Sequence, residues 1–449
     1  MRESFAWIGA ILVIAAAGGA IGAGVDLGTV TIAVAFGALV FWIARRMTRP
    51  EDKRWLVKLM MLGFVAKLAG SVARYLALVL VFGSGDATGY HSYAVGWAPF
   101  IRDFQWDAAI ADLPNRGFGT NSTKIMVTLL YAIYTPSLLG GFVGLGCLSY
   151  LGQIGLYAAF RRWTDPSRWK PYAILLFFLP TLVFWPSSVG KDALMLAFIG
   201  LSALGISMVF DQFRVRHLLV ATTGIALAVL VRPHVAMLLV GSAAIAVAVG
   251  KRPQESGAAR RRWVVLVILA IALAIGAPRA AELLKVELTA DGIDALLERQ
   301  EDATAQGGSE VSGEVVRNPL QFPGAALRVL FRPLPHEAND AGTALSSIEG
   351  LALLALTIFF APRMLKGLRS IRSNPYLTFS LTYTFGFVIA FSTVFNLGIL
   401  ARQRAQLFPM FLAVLIGLRE TKPAVRSAKE QRTPATTPPR QKLAAAAKT

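Results

Sequence analysis

The chain is built on apolar runs, and these constrain its fold more than any other feature. They fall at about 5–24, 28–44, 57–82, 137–160, 171–186, 193–210, 217–231, 235–250, 263–277, 346–361, 376–395 and 405–418. About 20 apolar residues cross the hydrocarbon layer as one helix, and a helix pairs its own backbone groups where no water can. The pattern predicts an all-α, polytopic transmembrane helix bundle of about twelve spans over residues 1–418. Several runs are short for a full span, as in helices that cross within a bundle or bend around a cavity. Of 449 residues, 55% are apolar and 16% charged, which excludes a string of soluble domains. The single cysteine excludes a disulfide scaffold.

A net charge of +19 invites a nucleic-acid reading. Its distribution argues for topology instead. With the N-terminus inside, Lys and Arg crowd the inner connections 45–56, 161–170, 211–216, 251–262 and 362–375 and the tail from 419, whereas the outer segments lean acidic. Both termini are expected to be cytoplasmic. No nucleic-acid partner is expected, and membrane lipids are secondary partners of the basic face. Residues 419–449, rich in Pro, Thr, Lys and Ala, read as a disordered, basic cytoplasmic tail. The run at 5–24 has the look of a signal peptide, but a second span follows almost at once, so it reads as a span.

Two large outer loops are expected at about 83–125 and 278–345. In the second, Leu283, Leu284, Leu288, Ile293, Leu296 and Leu297 have helical spacing, which suits a helix at 282–302 lying on the membrane surface, before a glycine break at 307–313. Residues 125–136 are too short to cross before Pro136 and read as a re-entrant or interfacial helix.

The polar motifs collect at the outer ends of the spans. They are GDATGYH at 85–91, NRGFGTNSTK at 115–124, WPSSVGKD at 185–192, RPH at 232–234, FRPLPHEAND at 331–340 and NLGILARQR at 396–404. Short outer connections carry Lys191, Arg232, Arg402 and Arg404 against the usual bias, and cations placed so face a cavity and carry function. Each has a plainer alternative. Lys191 can pair with Asp192 behind an N-cap at Ser187 or Ser188, Arg232 can snorkel from a tight turn, and Arg402 and Arg404 can sit on lipid phosphates. Asp86 can cap the helix at 87–97, and His91, His234 and His336 can be ordinary hydrogen-bonding residues. The coincidence on one face is what points to a site. Arginine forks and a lysine suit phosphate, and Asp86 is the candidate base, with Tyr90 sharing its helix face at i+4. Asp86 with His91 offers too few ligands to assert a divalent cation. Within the third span, Lys67 and Arg74 share a face, as phosphate ligands, buried ion pairs or a translocation path.

The D-x-x-x-Y-H stretch on the first large outer loop, followed by a short re-entrant helix, resembles the GT-C superfamily of membrane glycosyltransferases. Three spans precede that loop where the superfamily typically has one, and the paired acidic motif is absent. The resemblance implies a polyprenyl phosphate-linked sugar donor and Asp86 as catalytic base, with Tyr90 and His91 beside it. Arg232, Arg402 and Arg404 are similar in position and type to the basic residues with which O-antigen polymerases and ligases hold a polyprenyl pyrophosphate. FLPTLVFWPSSVGKDALM and NLGILARQRAQLFP look like stretches of bacterial glycan-assembly proteins. The expected function is therefore sugar transfer to a glycan or glycolipid acceptor on the extracytoplasmic face of a bacterial inner membrane. Lys191 joins the arginines on phosphate, and His234, Arg332, His336, Glu337 and Asn396 are further substrate-binding candidates. A polymerase or ligase, a lipid-linked sugar transporter, for which Lys67 and Arg74 speak, and a non-catalytic partner of an envelope complex are the alternatives. No G-x-S-x-G, H-E-x-x-H or Walker-type loop occurs.

Overall fold

A computed structural model describes residues 26–52, 55–107, 119–134, 137–250, 316, 318–338, 341–369 and 371–418. The runs at 5–24 and 263–277, the surface helix at 282–302, the glycine break at 307–313 and the tail at 419–449 lie outside the described residues.

The described residues are helical and contain no strand. In chain order the helices are α1 (Leu27–Met47), α2 (Trp55–Leu76), α3 (Asp86–Arg102), α4 (Thr120–Ile133), α5 (Leu138–Trp163), α6 (Pro166–Phe178) and α7 (Pro180–Phe184). After them come α8 (Lys191–Asp211), α9 (Val215–Val231), α10 (Pro233–Val249), α11 (Phe322–Phe331), α12 (Ala341–Leu368), α13 (Pro375–Phe391) and α14 (Leu397–Gly417). Among the described residues, six helices are long and apolar enough to cross a membrane: α1, α2 with its wider continuation to Phe82, α5, α8, α12 and α14. The shorter apolar helices α9, α10 and α13 have 17 residues each. The short helix expected at 125–136 is α4, which packs against α3.

The run at 171–186 is not one helix. It breaks between α6 and α7, where Leu179 is extended (φ −59°, ψ 124°) ahead of Pro180. A proline cannot donate to the carbonyl four residues before it, so Pro180 orphans Leu176 and Pro186 orphans Leu182. Side chains from neighbouring helices take both. Gln153 of α5 donates Nε2 to the Leu176 carbonyl at 2.7 Å, and Lys67 of α2 donates Nζ to the Leu182 carbonyl at 2.8 Å. Glu349 of α12 accepts the buried Thr181 N–H at 3.0 Å, and Ser149 of α5 donates to the Pro186 carbonyl at 2.6 Å.

Helix α5, α8 and α14 form the buried centre, while α1, α2 and α12 lie outside them. In lipid, apolar side chains give helices no reason to prefer one another, and small residues that let backbones touch do. Gly152 and Gly155 of α5 meet Gly200 of α8 in this way; a Cβ at Gly200 would stand 2.1 Å from the Gly152 carbonyl oxygen. Gly205 of α8 against Ala221, and Gly224 of α9 against Ser202, repeat the device one helix further. These crossings set the start of α8 beside the end of α9.

Each end of the bundle is pinned by polar contacts. At one end the buried Asp52 and Arg161 pair at 2.9 Å, and Arg161 also donates to the Met47 carbonyl at 2.9 Å and lies over Trp169 at 4.2 Å from the ring centre. Arg162 and Asp211 pair there too, at 2.9 Å. At the other end Asp26 accepts the Thr29 N–H at 2.5 Å and the Ser137 N–H at 2.7 Å, tying α1 to α5. The first residues of α3, α8, α10 and α14 lie at this second end.

Replacing Gly200 by alanine would drive a methyl into the backbone of α5. Overpacking of this kind costs about 1–3 kcal/mol, so Gly200→Ala should lower the melting temperature in detergent by several degrees. An unchanged melting temperature would mean that the α5–α8 crossing has slack.

Candidate functional site

Three helix junctions build the candidate site. Gly190 precedes α8, so Lys191 and Asp192 open its first turn, where the helix dipole favours a carboxylate. Arg232 ends α9 and begins α10, with Pro233 at the first position of the new helix. Asn396 caps α14 by accepting the Ile399 N–H at 3.0 Å, which sets Arg402 in the second turn.

The hub is Asp192, 1% exposed. One carboxylate oxygen accepts Arg232 Nη2 at 2.8 Å and the other accepts Arg402 Nε. Arg402 Nη1 reaches on to Asp86 Oδ2 at 3.6 Å. Arg232 Nη1 donates to Gln403 Oε1 at 2.7 Å, and Gln406 donates to the same oxygen at 2.6 Å. Lys191 does not pair with Asp192; it donates to Thr120 Oγ1 at the start of α4, at 2.9 Å. Gly119 makes that approach possible: its φ of +87° is a left-handed value that disfavours a side chain, and its N–H donates to the Leu230 carbonyl at 3.0 Å. Arg74 of α2 lies within electrostatic reach of Arg402 and Asp192.

Asp86 opens α3 with its carboxylate 64% exposed. Tyr90, one turn on, is buried, and that burial together with the charge of Asp86 pushes its hydroxyl above the ordinary tyrosine range. Tyr90 is in electrostatic reach of Arg402 and Arg232. His91 turns away and shares a hydrogen bond with the Tyr131 hydroxyl at 3.0 Å. Partial burial depresses the imidazole below its ordinary value of 6.5, so it is neutral at pH 7. His234 lies near Arg232 and Lys191, its ring 5.9 Å from that of Phe391.

The cluster thus gathers Asp86, Tyr90, Lys191, Arg232 and Arg402, with His234 at its margin. Arg404 does not belong to it. Residues two apart on a helix point about 200° apart, and Arg404 is buried on the far side of α14. It donates to the Val329 carbonyl at 2.7 Å and to the carbonyls of Arg328 and Arg332, capping the end of α11. Arg332 and Glu337 pair with each other, and Glu337 also accepts the Leu334 N–H at 2.8 Å. His336 is exposed beside them, and Asn396 is committed as a cap. Asp192, Gln403, Gln406 and Thr120 escaped the sequence reading as site members. Asp192 had a signal: it is the sole acid on the three short connections that carry the cations.

Four cations (Arg74, Lys191, Arg232, Arg402) face two carboxylates, and two positive charges stand in excess. Such a set suits an anion in its charge, and Arg402 links it to an exposed carboxylate able to accept a proton. No group of three His, Cys, Asp or Glu side chains suited to a metal ion occurs among the described residues. The chain matches no family model, no curated protein and no solved structure.

Asp192→Ala would strand two arginines, of which Arg232 is buried. Loss of one partner of a buried ion pair costs about 3–5 kcal/mol, and thermal unfolding in detergent should show it; a normal melting temperature would contradict the hub. Glu337 gives a pH signature. The hydrogen bond from Arg332 holds its carboxyl below the usual 4.5. Its contribution is therefore present above that ordinary value and fades as pH falls through the lowered one. Glu337→Gln should flatten that part of the acid limb of the melting curve, and superimposable limbs would show that the pair adds nothing.

Proposed function

We propose that the chain is a GT-C-like membrane glycosyltransferase of about twelve spans, with both termini in the cytoplasm and the Asp192 end of the bundle facing out from a bacterial inner membrane. Its donor is a sugar on a polyprenyl phosphate or pyrophosphate, and its acceptor a hydroxyl of a growing glycan or glycolipid of the cell envelope. The observation that carries this reading is Arg402, held between the buried Asp192 and the exposed Asp86 within a cluster of excess positive charge.

The chemistry follows from that arrangement. The donor phosphate lies against Arg232, Arg402 and Lys191 and draws the Arg402 fork away from Asp86, whose carboxylate is thereby freed as a base. Asp86 takes the proton of the acceptor hydroxyl as that oxygen bonds to the anomeric carbon. The bond from that carbon to the phosphate oxygen breaks, and its electron pair leaves with the phosphate, where the cations stabilise the added charge. Tyr90, buried behind Asp86, holds the helix face that aims it.

Transport was the rival for which Lys67 and Arg74 spoke. Lys67 is committed to the Leu182 carbonyl, at the break between helices, and so lends transport no support.

The test is a strain lacking the gene, complemented with wild type or Asp86→Asn, with lipid-linked and surface glycans profiled by mass spectrometry. A unit lacking one sugar, completed by wild type and not by Asp86→Asn, is the expected result. Complete single units without long chains would instead assign a polymerase to the same site. Unchanged glycans would overturn the enzyme reading. In purified protein, Arg402→Ala should weaken donor binding about tenfold, the 1.4 kcal/mol worth of one modest phosphate contact.

A further inference from the structure

Arg74 is the cation of the cluster with the least to do. Arg232 is committed to Asp192 and Gln403, Arg402 to Asp192 and Asp86, and Lys191 to Thr120. Arg74 Nε and Nη1 are buried and have no hydrogen-bond partner among the described residues. Aromatic rings hold the guanidinium instead: its carbon lies 5.0 Å from the ring centre of Trp185, 5.3 Å from that of Phe184 and 5.6 Å from that of Phe82. Rings fix the plane of a guanidinium and leave its N–H edge free to donate.

The cage is tied firmly to the rest of the site. Gly70, one turn before Arg74, lets α2 touch the backbone of α7; a Cβ there would stand 2.4 Å from the Val183 carbonyl oxygen. Ser187 donates to that same carbonyl at 2.5 Å, and Ser149 to that of Pro186 at 2.6 Å, which fixes the strand of chain from Trp185 to Lys191. Arg74 is thus held within electrostatic reach of Arg402 and of Asp192, whose buried carboxylate Arg232 and Arg402 already share. Like charges brought together in excess of their counter-charge are relieved by an arriving anion.

The geometry points to Arg74 as a phosphate-binding residue of the site, its cage of Phe82, Phe184 and Trp185 presenting to the phosphate of a lipid-linked ligand a guanidinium edge that has no hydrogen-bond partner among the described residues. The assignment rests on the anion-site reading above and adds a residue to it. The wide helical turn at Ala77–Phe82 that follows Arg74 leaves Val79, Leu80 and Val81 exposed, so the phosphate site opens beside an apolar surface that suits the lipid chain.

The experiment titrates farnesyl diphosphate against the purified full-length protein in detergent, by native mass spectrometry, with farnesol as the uncharged control. Melting temperatures verify that each variant is folded. Arg74→Gln should weaken diphosphate binding about tenfold and leave farnesol unaffected. Arg74→Lys, which keeps the charge but loses the fork and the ring stacking, should fall between. Arg363→Gln, at the other end of the bundle, should bind as wild type does. If Arg402→Ala weakens binding while Arg74→Gln and Arg74→Lys match wild type, Arg74 is no ligand and the anion site stands without it. If wild type binds diphosphate no better than farnesol, the anion site falls, and Arg74 with it.

Discussion

A backbone carbonyl inside a membrane must find a donor, and the broken segment from Pro166 to Phe184 makes that demand in several places at once. Pro180 and Pro186 strip donors from Leu176 and Leu182, and Gln153 and Lys67 restore them. Unpaired groups in hydrocarbon cost several kcal/mol each, so these replacements decide which helices may neighbour the break. Helix α2 must bring Lys67, α5 must bring Gln153 and Ser149, and α12 must bring Glu349. The polar residues that look costly in an apolar core are the ones that assemble it. The site is downstream of this arrangement, because the chain leaving the break runs through Trp185 and Ser187 to Lys191 and Asp192.

The site itself is an electrostatic compromise. A lone buried carboxylate would be expelled or neutralised; Asp192 persists because two arginines from different helices share it. The same sharing keeps two guanidiniums side by side, which neither would tolerate without the carboxylate. Glycine crossings supply the positional accuracy that this requires, since α8 and α9 meet backbone to backbone through Gly205 and Gly224.

Much of this was legible in the sequence, though unevenly. Apolar runs mark the long helices, because burial in lipid is a property of whole segments. The clustering of cations at one end was visible too, because span ends alternate. The separation of Arg402 from Arg404 was readable from helical spacing alone, since neighbours at i+2 diverge. The fate of Lys67 was written in Pro186, a missing donor that needs a substitute, but which helix supplies it depends on tertiary packing. The sequence offered Asp192 only as a local partner in the plainer alternative for Lys191, and adjacency is a poor guide at a helix start, where consecutive side chains point in different directions. Its true partners lie 40 and 210 residues away.

The halves of the site differ in what they stand on. Asp192 and Arg232 stand on α8 and at the end of α9, whose backbones touch through glycines, and sliding there would bring a collision. Asp86 rides on α3, which packs chiefly on α4, and the pair leans on the bundle only at its edge. The bond between Arg402 and Asp86 therefore joins a fixed anvil to an adjustable arm. Under the glycosyltransferase proposal, such a build keeps one grip on the donor phosphate while the arm settles against acceptors of different shape, so that selectivity for the acceptor and affinity for the donor change independently of each other.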